Sequence, residues 1–172
     1  MNKKQVRHDK MGTVTTFENV DDWDVVIYKK RVLCIDYGNK RTGIAISDLD
    51  CSIATPLRVI ETINIYSELL NVVKEYSIGV IVVGMPLALN GGDNGLQHKL
   101  VNNFSDKLQK FLKDFNIRII QYDERLSSVV ANRVLSEAEF TTRQRRKNVD
   151  KIAACFILQG FLDRVRYKIH GN

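Results

Sequence analysis

From Arg31 onward the chain switches between two hydrophobic periods. "RVLCID" (31–36) and "TGIAISD" (42–48) are apolar and rich in β-branched residues, and "ATPLRVIETI" (54–63) follows a turn at "DLD", so three strands are predicted. Gly38 and Asn39 mark the first turn. Connections this short imply an antiparallel meander.

The period then lengthens. Leu69, Leu70, Val72, Val73 and Tyr76 suit a helix with Ser67 as its N-cap, and "IGVIVVGMP" (78–86) reads as a strand buried on both faces. Leu96, Leu100, Val101, Phe104, Leu108, Phe111, Leu112 and Phe115 recur at three- and four-residue steps, the clearest amphipathic helix in the chain. "IRIIQYDE" (117–124) is a fifth strand, and two terminal helices are predicted to start near Ser127 and Val149. Helical crossovers join parallel strands, so the fold class is α/β: a five-stranded mixed sheet, three antiparallel strands then two joined through helices, flanked by helices. Residues 1–30 are polar, with acids at Asp21, Asp22 and Asp24 and aromatics at Phe17 and Trp23. They read as an appended extension, partly ordered or flexible, ahead of a single domain over 31–172.

Composition narrows the class. A chain of 172 residues with 27% charged and 44% hydrophobic residues suits one globular domain. The excess of 26 Lys and Arg over 20 Asp and Glu, a formal +6, suits a polyanionic partner. Cys34, Cys51 and Cys155 are odd in number and widely spaced, with no secretory leader, which favours reduced thiols in the cytoplasm. His8, His98 and His170 stand apart, arguing against zinc, and the longest apolar run is too short for a bilayer, so no membrane is expected.

Three acidic positions fall where this layout gathers chain ends. Asp36 ends the first strand, Asp123 and Glu124 end the fifth, and Asp150 opens the last helix. Adjacent strand residues point to opposite faces, so only one of Asp123 and Glu124 can face Asp36. Asp150 shares a helix face with Ala153, Ala154 and Ile157, small enough to let the helix lie close to the sheet; alone, it could simply complement a helix N-terminus. Three converging carboxylates would repel one another unless a cation lay between them. Oxygen ligands without His or Cys favour Mg2+ or Mn2+, completed by substrate phosphates, and so phosphodiester chemistry.

Four segments, "IDYGNKRTGIAISD" (35–48), "VVGMPLALNG" (82–91), "DERLSSVVANRVL" (123–135) and "VDKIAACFILQGFLD" (149–163), resemble the YqgF-like family of pre-16S rRNA nucleases, relatives of Holliday junction resolvases with an RNase H-like fold. The likeness covers almost all of residues 31–165 in the family's order. It implies that Asp36, Glu124 and Asp150 are the catalytic, metal-binding acids. Tyr37 stands where the family more often has a small aliphatic residue, which would reshape the floor of the site.

Arg143, Arg145, Arg146 and Lys147 precede Asp150, and with Lys40 and Arg41 they form the expected nucleic-acid track, to which Arg125 adds a phosphate contact or, alternatively, orients Glu124. Gly91, Gly92 and Gly95 would let the loop after the fourth strand close over a bound strand; with no Walker lysine it is not a phosphate-binding P-loop. The expected function is therefore an Mg2+-dependent endonuclease (a hydrolase) on structured RNA, at the 5′ end of pre-16S rRNA, free or within the ribosome. The alternatives are resolution of four-way DNA junctions, or rRNA binding without cleavage in ribosome assembly. Either a monomer or a homodimer is compatible with the first; junction resolution usually needs two facing sites.

Overall fold

The computed structural model describes residues 15–16, 29–85, 94–123 and 142–170. Expectations for the remainder of the N-terminal extension, the loop after Met85, Glu124, Arg125 and the helix from Ser127 lie outside the described residues. The strands are β1 (Thr15–Thr16), β2 (Arg31–Asp36), β3 (Arg41–Ser47), β4 (Ala54–Glu61), β5 (Ile78–Met85) and β6 (Arg118–Asp123). The helices are α1 (Ile65–Glu75), α2 (Asn94–Phe111) and α3 (Thr142–His170). Short 3-10 turns at Thr62–Asn64 and Lys113–Phe115 lead into α1 and out of α2.

One sheet holds the strands in the order β1-β6-β5-β2-β3-β4. β2, β3 and β4 are antiparallel neighbours, while β5 runs parallel to β2 and β6 parallel to β5. The five predicted strands and their directions are thus observed. Thr15–Thr16 add a short sixth strand parallel to β6, drawn from the segment read as an extension. β5, between β2 and β6 with both faces covered, is buried almost throughout, as its unbroken apolar run requires. Pro56 sits on the edge strand β4, where its missing N–H costs least, at a register shift against Ile44 and Ala45.

Strand alternation divides the core in two. Leu33, Ile35, Ile81, Val83 and Ile119 face α1 and α2, meeting Leu69, Val72, Val101, Phe104 and Leu108. Val32, Cys34, Ala45, Val80, Val82 and Ile120 face α3, meeting Ala154, Ile157, Leu158, Phe161 and Val165.

Two helix starts differ from the sequence reading. α1 begins at Ile65, reached through the 3-10 turn, and Ser67 is not its cap; the Ser67 hydroxyl donates to the Asn64 carbonyl at 2.9 Å from inside the first turn. α3 begins at Thr142 rather than near Val149. The intervening residues include Arg, Gln and Lys and lack Gly and Pro, so nothing stops the helix from extending upstream. Asp150 therefore lies about two turns inside α3, beyond the reach of the N-terminal dipole, and does not open the helix. Along α2 the apolar stripe is wider than the buried face: Val101, Phe104, Leu108 and the following Leu112 are buried, whereas Leu96, Leu100, Phe111 and Phe115 are exposed.

Candidate active site

The site grows from the C-terminal end of β2. Val32 and Cys34 point under α3, so period-two alternation puts Asp36 on that same face. In the β2–β3 ladder Asp36 stands opposite Gly43. A Cβ on Gly43 would collide with the carbonyl oxygen of Asp150 and crowd the amide nitrogen of Lys151. Only glycine lets the α3 backbone rest on β3 there, and that contact carries Asp150 to the end of β2. Ala154, fully buried one turn on, continues the close approach expected from the alanines.

The electrostatics follow from this packing. Burial raises the Asp36 carboxyl from 3.8 to about 6, and the negative charge of Asp150 adds to the rise. The two acids are thus close enough to feel each other inside the protein. Asp150 Oδ2 is shut off from solvent and has no hydrogen-bond partner among the described residues. Arg41 Nε lies 3.0 Å from that oxygen, compensating its charge without an aligned N–H.

Arg41 begins β3 from a braced turn. The Thr62 hydroxyl donates to the Gly38 carbonyl at 2.7 Å, and the Thr62 amide donates to the Lys40 carbonyl at 3.0 Å. Gly38 passes so close beneath the Arg41 carbonyl that a side chain there would strike it. Lys40 and Arg41 are exposed and, with Asn39, Glu61 and Ile63, line an open cleft of about 640 Å³.

Tyr37 does not shape the floor of the site. One residue past Asp36, it turns to the other face and stacks on Phe104, with ring centroids 4.1 Å apart. Its carbonyl accepts a 3.4 Å hydrogen bond from Gln97 Nε2 of α2. The larger residue anchors a helix behind the sheet.

Of the other candidates, Asp123 ends β6 in register with Met85. Arg143, Arg145, Arg146 and Lys147 occupy the first two turns of α3, ahead of Asp150. Among the described residues, no group of three or more His, Cys, Asp or Glu side chains could hold a metal ion. The two acids that are described do fit a hard divalent cation: both offer oxygen, one oxygen is buried without a hydrogen bond among the described residues, and the charge of Asp150 acts on Asp36. The cysteines are free, and burial pushes the Cys51 and Cys155 thiols up, away from nucleophilic chemistry.

Sequence reasoning missed one residue of the site and one pairing. Gly43 carried a readable signal, a glycine inside the apolar strand "RTGIAIS", which often marks close backbone approach. The Arg41–Asp150 pair spans more than a hundred residues and left no local trace.

Residues 30–164 match the family model of RuvX, described as Holliday junction resolvase. The chain belongs to the RuvX family. The matched span runs from the start of β2 through most of α3 and includes Asp36, Gly43 and Asp150. RuvX is a nuclease family, and the observed sheet order and strand directions are those of the RNase H-like fold. A protein named "Putative pre-16S rRNA nuclease" from Maridesulfovibrio salexigens is 42% identical over 137 residues, 78% of this chain and 98% of its own length. Another of that name from Roseiflexus sp. is 37% identical over 139 residues, 79% of this chain and 96% of its own. The solved structure of Thermus thermophilus RuvC aligns with a TM-score of 0.49 and 12% identity, over 78% of this chain and 95% of that one. No helix among the described residues is long and apolar enough to cross a membrane.

Proposed function

We propose that this protein is a divalent-metal-dependent endonuclease that processes the 5′ end of pre-16S rRNA during ribosome biogenesis. The observation that carries the reading is the meeting of Asp36 and Asp150 across Gly43, with one carboxylate oxygen buried without a hydrogen bond among the described residues. The names borne by relatives that align over nearly their whole length supply the substrate.

Asp36, Asp150 and Glu124 are the residues that would hold Mg2+ or Mn2+. Glu124 rather than Asp123 is the acid implied by the likeness of "DERLSSVVANRVL" to the family. A bound divalent ion supplies activation of the attacking water and stabilisation of the leaving oxygen. The chain's own part is to hold the scissile phosphate against the acids. Lys40 and Arg41 approach it from the β2–β3 turn, and Arg125, Arg143, Arg145, Arg146 and Lys147 extend the cationic track along the substrate backbone. These contacts read shape and charge rather than base sequence, which suits a structured RNA, free or within the ribosome. The free thiols suit a reducing cytoplasm. Residues 31–172 act as the nuclease domain and 1–30 as an extension to it.

A second reading, cleavage of four-way DNA junctions, is favoured by the description of the matching family. One experiment separates the two. Purified protein is incubated with precursor 16S rRNA and with a four-way DNA junction, each with and without Mg2+, alongside Asp36→Asn. Cleavage of the RNA only, dependent on Mg2+ and lost in the variant, is expected. Cleavage of the junction alone would favour the second reading. RNA binding without nicking by the wild type would leave an assembly factor, and undiminished cleavage by Asp36→Asn would remove the acids from the chemistry.

A further inference from the structure

The turn that carries Lys40 and Arg41 is tied to a second turn across a cleft. Thr62, the first residue of the 3-10 turn after β4, donates its hydroxyl to the Gly38 carbonyl at 2.7 Å and its amide to the Lys40 carbonyl at 3.0 Å. Because that hydroxyl proton goes to Gly38, the fully buried Thr42 is the donor in the 2.9 Å contact between the Thr42 and Thr62 hydroxyls. Three hydrogen bonds thus fix the spacing of the two turns. The next residue, Ile63, points the other way: it is 89% exposed, whereas Ile60 and Ile65 are buried. The open cleft of about 640 Å³, a size that seats a small ligand, is lined by Lys40 and Arg41 from the first turn and by Glu61 and Ile63 from the end of β4 and the second. Arg41 also meets Asp150 at 3.0 Å, so the cleft opens beside the two acids.

We propose that this cleft is a nucleotide subsite of the nuclease, in which Ile63 is an apolar wedge that takes one unpaired nucleotide of the RNA strand out of its stack next to the scissile phosphate. The inference rests on the reading of the acids as a phosphodiester-cleaving centre, and it adds the conformation of the strand that is cut. An exposed aliphatic side chain offers apolar contact to the face of any base, as do the apolar residues that other proteins insert between base steps. An unpaired nucleotide leaves its stack at the least cost. Lys40 supplies a cation for the phosphate of the same nucleotide. Glu61 repels phosphate, so the sugar and base face it while the backbone faces Lys40. A wedge must be held against the restoring pull of the stack, and the Thr62 hydrogen bonds hold this one. A small anion in the cleft would use Lys40 and leave Ile63 idle.

The test uses the full-length protein and an RNA spanning the 5′ end of precursor 16S rRNA, with 2-aminopurine, which brightens when unstacked, placed at one position at a time. In EDTA the wild type is expected to brighten the probe at a single position. Ile63→Ala is expected to lose that signal and to bind the RNA about fivefold more weakly, because one apolar contact is gone. Its melting temperature and salt dependence should stay at wild-type values, since the side chain is exposed and uncharged. Ile63→Phe, which keeps a wedge, should retain the signal and the affinity. Lys40→Gln should instead lower the slope of log affinity against log salt by about one. Undiminished brightening and affinity in Ile63→Ala, or no position that brightens with the wild type, overturns the subsite. Adding Mg2+ to the wild type scores the nuclease reading separately. Cleavage by the wild type alongside an unaltered Ile63→Ala removes the wedge and leaves the nuclease; brightening that Ile63→Ala abolishes, without cleavage by the wild type, keeps the subsite and removes the nuclease.

Discussion

The two faces of the sheet are built from alternate residues of the same strands, yet they hold their helices in different ways. Toward α1 and α2 the strands present Leu33, Ile35, Ile81 and Ile119, and the gap is filled by rings: Tyr37 stacks on Phe104, and Tyr66 meets Phe111 edge-on with centroids 5.2 Å apart. Toward α3 they present Val32, Cys34, Ala45 and, at the point of nearest approach, Gly43. Large side chains on one face keep helix and sheet apart and bury apolar area. Small ones on the other bring a helix backbone down onto a strand, so that two short aspartate side chains can meet. A site made of short acids needs that closeness, and the aromatic face supplies stability that the acidic face gives up.

The contrast is broken most forcefully by one substitution on each side. Phe104→Ala should cost about 3–5 kcal/mol, because a buried ring is removed from a packed layer, while cleavage per folded molecule and Mn2+ affinity stay near wild type. Gly43→Ala should cost less, about 1–3 kcal/mol, yet abolish both cleavage and Mn2+ binding, because the new methyl group displaces α3 at Asp150. Denaturant melts and metal titrations on the two variants check this. Full activity in Gly43→Ala would erase the distinction between the faces.

A smaller effect is read from pH. Asp36 titrates near 6 in the folded protein against an ordinary 3.8, so the folded state binds more protons between those values, and stability from this group falls as pH rises through that window. The loss is on the order of 2–3 kcal/mol above pH 6, from the size of the shift. In EDTA, Asp36→Asn should therefore melt higher than wild type at pH 7 and equally at pH 4. A lower melting temperature at pH 7 would mean that the carboxylate is stabilised in place by contacts that asparagine cannot copy.

How much of this could be read from the chain depends on how far apart the partners lie. The five long strands, their directions and the face shared by Asp36 and the α3 contacts follow from local alternation, and short turns decide which neighbours are antiparallel. Helix ends were less legible: the basic run before Asp150 is compatible with helix, and only the structure shows that α3 takes it in. Tyr37 was misjudged because its position beside Asp36 in sequence hides the flip to the opposite face. Gly43 beneath Asp150 and Arg41 beside it are contacts between segments more than a hundred residues apart, beyond any local period. Glu124 and Arg125 lie outside the described residues, so the part of Glu124 in the site rests on likeness to the family and that of Arg125 on its charge.

The central claim is that Asp36 and Asp150 are brought together to share a hard cation. A crystal grown with Mn2+, measured at a wavelength where manganese scatters anomalously, tests it most directly. The account predicts an anomalous peak at coordination distance from carboxylate oxygens of both residues, with Glu124 completing the set. A peak elsewhere on the molecule, with none at Asp36 and Asp150, would contradict it.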